Sequence, residues 1–381
     1  MIYLDNNATT RLAPEVLEAM LPYFLEHFGN ASSAHAMGRM PEGALVHARE
    51  QVAGLLGCEP AELVFNSGGT EGINHAFKGI FEAFPAKRHF VTTAVEHSAV
   101  QAALAWLQGR GAEVTWIGVD ADGRLDLEML KASLRPDTAL VSVMAANNET
   151  GVLFPLEEIA ALVKARGIWL HVDAVQAAGK LPLAVASLGV DLVNVSAHKF
   201  HGPKGVGALF IRRGLRLKPL LVGGQQERGR RGGTENIPAI VGMGMAAQLA
   251  GADIAAMERV RVLRDRLETT LLATVPGMLV NGLRAPRLAN TTLLSFQGLE
   301  GEALLLKLNE QGICVATGSA CTTGQKEPSH VLRAMHTPDA FSRGTVRISL
   351  SHETTQNEIE RVIEIMPSVI ADLRKLGAMA R

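Results

Sequence analysis

Cysteine is scarce in this chain. There are three in 381 residues, Cys58, Cys314 and Cys321, and no two form a CxxC pair. So sparse and odd a set excludes a disulfide framework and offers no zinc-ligand spacing, so no metal site is expected. Net charge is nearly absent, at -1. No overall field draws the chain to nucleic acid or to an anionic membrane, and neither is expected as a partner. A basic and then apolar leader is also missing, because Met1 runs straight into Asp5, Asn6 and Asn7; a cleaved signal peptide is not expected. The longest apolar stretch, residues 237–257, is interrupted by Pro238, Gln248 and Asp253, so no membrane-spanning helix is predicted. The cytoplasm is the expected location. Internal repeats and low-complexity segments are lacking too.

What remains is an ordinary globular composition, 47% hydrophobic and 20% charged, on a chain long enough for two domains and a large core. Short apolar or β-branched runs at 63–65, 89–93, 114–119, 139–144, 168–173, 191–196 and 208–212 are mostly separated by helix-length segments. That rhythm predicts an α/β architecture, with a mostly parallel seven-stranded sheet covered on both faces. Ahead of it, helical spacing predicts a long helix from 14 to about 28, with Val16, Met20 and Leu21 on one side, and a second helix carrying Ala44, Val46, Ala48, Val52, Leu55 and Leu56. After about residue 252 the order changes. A charged amphipathic helix over 254–275 precedes strands at 290–296 and 345–350, and Thr355 with Glu358 forms a capping box for the last helix. The expected division is a large domain over 15–252 and a smaller α+β domain made of 1–14 and 253–381.

Ligands on such sheets gather at the carboxyl ends of the strands. Lys199 lies there, in VNVSAHKFHGPKG, on a loop where a compact amine could be desolvated and form a Schiff base with a carbonyl. Asp173 closes the apolar run IWLHVD, where a carboxylate is costly unless paired with a cation such as a protonated pyridine nitrogen. A strand-end Asp followed by a strand-end Lys is the arrangement used to hold pyridoxal phosphate. The turn NSGGTEG opens a helix and offers free amides to a phosphate, though no Gly-Lys-Ser/Thr follows to make it a nucleotide loop. Glu96 with His97, and Asn147, Asn148 and Glu149, occupy two further strand ends. Cys58 and Cys314 sit beside apolar neighbours and are expected to be buried and inert, whereas GSACTTG places Cys321 on an exposed loop. Arg228, Arg230 and Arg231 crowd beside Thr234 in one basic loop.

DNNATT, SGGTE, EH, NNETG, DAVQ, SAHK, RGGTEN, GSAC and VRISL occur in that order along the chain, which thereby resembles the cysteine desulfurases of the class V aminotransferases, closest in wording to the nitrogen-fixation type. The resemblance implies a type I pyridoxal phosphate-dependent fold. It further implies a homodimer that converts L-cysteine to L-alanine and leaves the sulfur as a persulfide, for an iron–sulfur scaffold protein or another sulfur acceptor. It casts Lys199 as the lysine joined to the cofactor aldehyde, Asp173 as partner of the ring nitrogen, Gln176 as donor to the ring's phenolic oxygen and His97 as the stacked acid/base. Gly69, Thr70, Ser196 and His198 become the phosphate cradle, completed by Thr234 of a second copy. Asn148 and Arg347 become the clamp on the substrate carboxylate, an assignment that alternation in TVRISL supports by putting Arg347 opposite Val346 and Ile348, and Cys321 becomes the sulfur-accepting nucleophile. Ala31 stands where the family usually has proline, and TTGQKEPSH departs from its usual wording. Selenocysteine lyase and a small-amino-acid aminotransferase are the alternatives, although a transaminase has no use for a loop thiol. A non-catalytic scaffold would not need Lys199, Asp173, His97 and Cys321 together.

Overall fold

The computed structural model describes residues 1–318 and 327–379. Its strands are β1 (Ile2–Tyr3), β2 (Leu63–Asn66), β3 (His89–Thr93), β4 (Glu113–Ile117), β5 (Thr138–Met144), β6 (Trp169–Asp173), β7 (Leu192–Ser196), β8 (Gly207–Ile211), β9 (Met278–Val280), β10 (Thr291–Phe296), β11 (Ile313–Cys314) and β12 (Thr345–Ser349). The seven expected runs form one sheet in the order β2-β8-β7-β6-β5-β3-β4. Only β8 runs against its neighbours. It follows β7 after a short loop, too short for the crossover that a parallel partner would need.

Alternation along these strands sends side chains to two cores. Val91, Val141, Val143, Leu170, Val172, Val193 and Phe210 face one, shared with the helices Ala36–Leu56 and Ile237–Asp253. Phe90, Leu140, Leu192, Leu209 and Ile211 face the other, beneath the helices Gly69–Ala83 and Ser98–Gln108. Helix Gly69–Ala83 lies there because Ile73, Ala76, Phe77 and Ile80 recur at helical spacing and are all buried.

A third core gathers Leu4, Val260, Leu267, Phe296, Leu308, Ile348, Ile359 and Met366. It joins β9, β10 and β12 to the helices Met257–Thr274, Gly301–Glu310 and Gln356–Met379. Thr355 and Glu358 exchange the capping hydrogen bonds that start the last helix. The N-terminus joins this core through β1, which pairs in parallel with β11.

One expectation needs correction. The helix over 14–28 is interrupted into Pro14–Met20 and Pro22–Leu25, since Pro22 has no N–H for the continuing ladder; Leu21 is then 46% exposed. The stretch Ile237–Thr274 is long and apolar enough, by length and composition, to cross a membrane. Its apolarity has a use in the fold, because Ile240, Met243, Ala246 and Ala247 lie in the core of the sheet.

Candidate functional site

The carboxyl ends of β2, β3, β5, β6 and β7 open onto a cavity of about 200 Å3 whose lining includes Gly69, Thr70, His97, Asn148, Asp173, Gln176, Ser196, His198 and Lys199. Nine of the residues singled out in the sequence therefore meet in one place. Arg347 and Thr234 are not in that lining, and Cys321 lies outside the described residues.

At the β2 end the backbone is shaped by two glycines. Gly68 has φ +140, a conformation open to glycine and strained for other residues. Gly207 on β8 lets this turn approach, since a Cβ there would lie 2.7 Å from Gly68 Cα and 2.5 Å from the Val195 carbonyl oxygen. The amides that begin helix Gly69–Ala83 thus meet Ser196 and His198 at the cavity wall, a setting suited to a phosphate. Burial, then the charges of Lys199, Lys204 and Lys180, push the His198 pKa down to about 4. His198 therefore offers hydrogen bonding without charge.

Asp173 is held from behind. Its Oδ1 accepts from Val175 N at 3.0 Å and from Asn194 Nδ2 at 3.2 Å. Asn194 Oδ1 in turn accepts from His171 Nε2 at 2.6 Å, and His171 Nδ1 meets Ser142 Oγ at 2.8 Å. Because an amide oxygen only accepts, the His171 proton sits on Nε2 and Ser142 donates to Nδ1. This relay fixes one carboxylate oxygen and leaves Oδ2 as the atom for a ligand in the cavity. A protonated ring nitrogen fits that position.

His97 caps helix Ser98–Gln108 by accepting from Ala99 N at its Nδ1, at 3.1 Å. Its neutral form therefore carries the hydrogen on Nε2. Burial first, and then Lys199, hold its pKa below the usual histidine range against the opposing pull of Asp173.

Lys199 Nζ donates to the carbonyls of Asn7 at 2.6 Å and Ala8 at 2.8 Å. Gln176 Nε2 also donates to Asn7 O, at 2.9 Å, while its Oε1 accepts from Lys180 Nζ at 3.0 Å. Lys180 is buried, and burial followed by the charges of Lys199 and Arg347 lowers its pKa to about 7. Neither Asn7 nor Lys180 was singled out from the sequence. DNNATT, a polar run beside the first strand, is the signal that pointed to the first; the spacing of Gln176 and Lys180 by four residues is the signal for the second.

Arg347 on β12 alternates with the buried Val346 and Ile348, as expected, and is itself buried. Its Nη1 donates to Asn148 O at 3.1 Å and its Nη2 pairs with Asp5 Oδ1 at 2.7 Å. Nε has no partner among the described residues although it is buried, a costly state that a carboxylate taking Nε and Nη together would relieve. Thr234 is exposed. The arginines beside it are engaged within the chain: Arg228 donates to Ala61 O, Arg230 to Leu63 O, and Arg231 pairs with Glu71 at 3.0 Å. The basic loop is therefore anchored to the turn at the cavity rather than presented as a free positive patch.

Cys58 and Cys314 are half-buried, less than expected. Burial, with Glu62 and Glu59 adding repulsion, pushes the Cys58 thiol up to about 12, which leaves it a poor nucleophile.

The chain matches the family model described as aminotransferase class-V over residues 2–362. It is 53% identical over 378 residues to a cysteine desulfurase of Trichormus azollae, covering 99% of this chain and 94% of that one. Among solved structures, a NifS-like protein superposes with a TM-score of 0.91 at 39% identity, covering 98% of this chain and 100% of the other. SspA, solved in complex with cysteine, does so with a TM-score of 0.82 at 32% identity, covering 93% and 100%.

Proposed function

Because the chain belongs to the class-V aminotransferase family, and within it to the cysteine desulfurases, we propose that Lys199, Asp173 and His97 carry its chemistry and that Cys321 receives the sulfur. The activity is that of a pyridoxal phosphate-dependent cysteine desulfurase, turning L-cysteine into L-alanine. The observation that carries the residue assignment is the meeting of Asp173, Lys199 and the Gly69 turn around one cavity.

Pyridoxal phosphate supplies an aldehyde that takes an amino group, and a ring that stores the electron pair left when a bond near that nitrogen breaks. Lys199 is the amine that would hold the aldehyde. Asp173 Oδ2 would face the ring nitrogen and Gln176 Nε2 the phenolic oxygen, while Gly69, Thr70, Ser196 and His198 hold the phosphate together with Thr234 of a second copy. Arg347 and Asn148 orient the substrate carboxylate. His97, neutral near pH 7, takes up a proton only by releasing the Ala99 amide from Nδ1; both nitrogens then carry hydrogen and either can return one. The Cys321 thiolate attacks the substrate sulfur as the carbon–sulfur bond breaks, so the sulfur ends as a persulfide on the enzyme and the carbon skeleton leaves as alanine. Delivery from there to an iron–sulfur scaffold or another acceptor protein completes the reading, with the cytoplasm as its place.

A homodimer is part of the same proposal. Leu17, Leu21, Phe24, Leu25 and Phe28 are exposed near the N-terminus, and Leu221 and Val222 are exposed on the loop ahead of Thr234, an apolar surface of the kind that subunits bury. We further propose that the small domain comprises 1–14 and 253–381, since Leu4 and Met257 share its core.

The test uses radiosulfur-labelled cysteine. Cys321→Ser should still bind cysteine, with a change in cofactor absorption, yet retain no protein-bound label and release no sulfide with reductant. Cys58→Ala and Cys314→Ala should keep both. Normal sulfide release from Cys321→Ser, or label that moves to Cys314, would refute the assignment.

A further inference from the structure

Behind Lys199, on the side away from the site just described, lies a second cavity of about 210 Å3 whose lining includes Lys180, Lys199, His201, His352 and Glu353. The last three come from distant parts of the chain: His201 from the loop after β7, His352 and Glu353 from the turn between β12 and the last helix. Their ligand atoms, one from each, all lie within 4.8 Å of one another. The imidazoles are 4.3 Å apart between centroids and tilted by 48°.

The histidine on the sheet side is prepared as a ligand. His201 has φ +63, and it is held there by its own N–H to Thr10 Oγ1 at 2.7 Å and by Ala13 N to its carbonyl at 3.1 Å. Its Nδ1 lies 3.0 Å from the Arg11 carbonyl. A carbonyl cannot donate, so Nδ1 carries the hydrogen and Nε2 presents its lone pair, the tautomer that metal-binding histidines are given by a backbone carbonyl. Opposite, the backbone of His352 is anchored by Arg259, which donates to its carbonyl oxygen. Glu353 is only loosely paired, with Arg11 at 3.9 Å, and is free to turn inward.

We propose that His201, His352 and Glu353 bind one divalent transition-metal ion, with Zn2+ as the representative. Two imidazoles and a carboxylate suit the borderline metals from Co2+ to Zn2+ and not Mg2+ or Ca2+, which take oxygen sets. Zn2+ bonds to such donors are about 2.0–2.2 Å, so His352 and Glu353 must turn toward His201 to reach one ion, with water in the remaining position. Lys180 lines the same cavity, and the Glu353 carboxylate offsets its charge beside an ion. An ion here ties the loop carrying Lys199 to the segment five residues beyond Arg347, and so fixes the two sides of the active cavity relative to each other.

The test is metal binding by the cofactor-loaded enzyme without cysteine present. Equilibrium dialysis should find one Zn2+ per chain. Co2+ in its place should give the visible bands of a nitrogen and oxygen site with no thiolate charge-transfer band. His352→Ala and Glu353→Gln should each weaken Zn2+ by on the order of tenfold or more and abolish any rise in Tm on adding Zn2+, while retaining the cofactor band that reports a folded enzyme. No stoichiometric uptake, a thiolate band, or equal affinity in the wild type and both variants would overturn the proposal.

Discussion

Asp5→Asn tests whether Arg347 is the substrate's anchor or merely a structural cation. In the structure the guanidinium is 3% exposed and its partner carboxylate 21% exposed, at 2.7 Å. Deleting one member of a buried pair outright costs about 3–5 kcal/mol. Asparagine is milder, because its amide oxygen still accepts from Nη2 and Asn148 O still accepts from Nη1 at 3.1 Å. Only the charge assistance is lost, roughly 1–2 kcal/mol. If the substrate carboxylate must displace Asp5 to reach Nη2 and the unpartnered Nε, that same energy is removed from the cost of binding. The free enzyme should become less stable by about 1–2 kcal/mol, while cysteine binds about 5- to 30-fold more tightly. Binding is read from cofactor absorption in a Cys321→Ser background, which stops turnover. Cysteamine, lacking the carboxylate, is the control and should gain nothing. Cysteine affinity that is unchanged or weaker, or a gain shared equally by cysteamine, refutes the clamp.

Lys199→Ala should leave the enzyme without a covalently held cofactor band or turnover, and borohydride treatment of the wild type should label Lys199 rather than the exposed Lys204. Label on Lys204 would displace the central assignment. Glu96 is buried beside His97, with Oε1 accepting from Thr93 and Met144 while Oε2 has no partner among the described residues. Burial raises its pKa from 4.5 to about 8, with Asp173 adding to the rise. The folded state then holds a proton that the unfolded chain releases, so the contribution of Glu96 to stability is fully present below pH 4.5 and is lost as pH rises through about 8. Glu96→Gln mimics the protonated form and removes that slope. Its urea midpoint should exceed wild type by little at pH 5 and by a few kcal/mol equivalent at pH 8.5, at about 1.4 kcal/mol per pKa unit; an equal gap at both pH values would show that the site is not titrating.

Much of this site was legible because its side chains sit where the sequence rhythm changes. Asp173 ends an apolar strand and Lys199 begins a glycine-rich loop, and both expectations coincide with strand ends in the structure. Alternation in TVRIS was enough to turn Arg347 away from Val346 and Ile348. The rest was hidden for specific reasons. Asn7 acts through its carbonyl, and every residue has one. The Asp5–Arg347 pair joins positions 342 residues apart, a separation that no periodicity spans. The His201, His352 and Glu353 group is dispersed in the same way. Leu21 shares the helical spacing of Val16 and Met20, but Pro22 breaks the ladder right after it and leaves it 46% exposed.

The N-terminal segment explains why the cofactor side and the substrate side of this cavity are positioned together. Asn7 is 1% exposed and its side chain is tied to the start of β10: Nδ2 donates to Thr291 Oγ1 at 2.9 Å, and Oδ1 accepts from Asn290 at 3.1 Å. Its carbonyl belongs to the sheet edge, where Lys199 and Gln176 both donate to it. Two residues earlier Asp5 holds Arg347, and three residues later Thr10 bonds the His198 carbonyl and the His201 amide. One stretch of backbone thus sets the distance between the amine and the guanidinium. Its polar atoms are buried and paired, and losing a partner would cost each about 1–3 kcal/mol. A substitution such as Ala31 lies on a surface loop outside this set of bonds, whereas a change within DNNATT would alter the spacing on which both ends of the substrate depend.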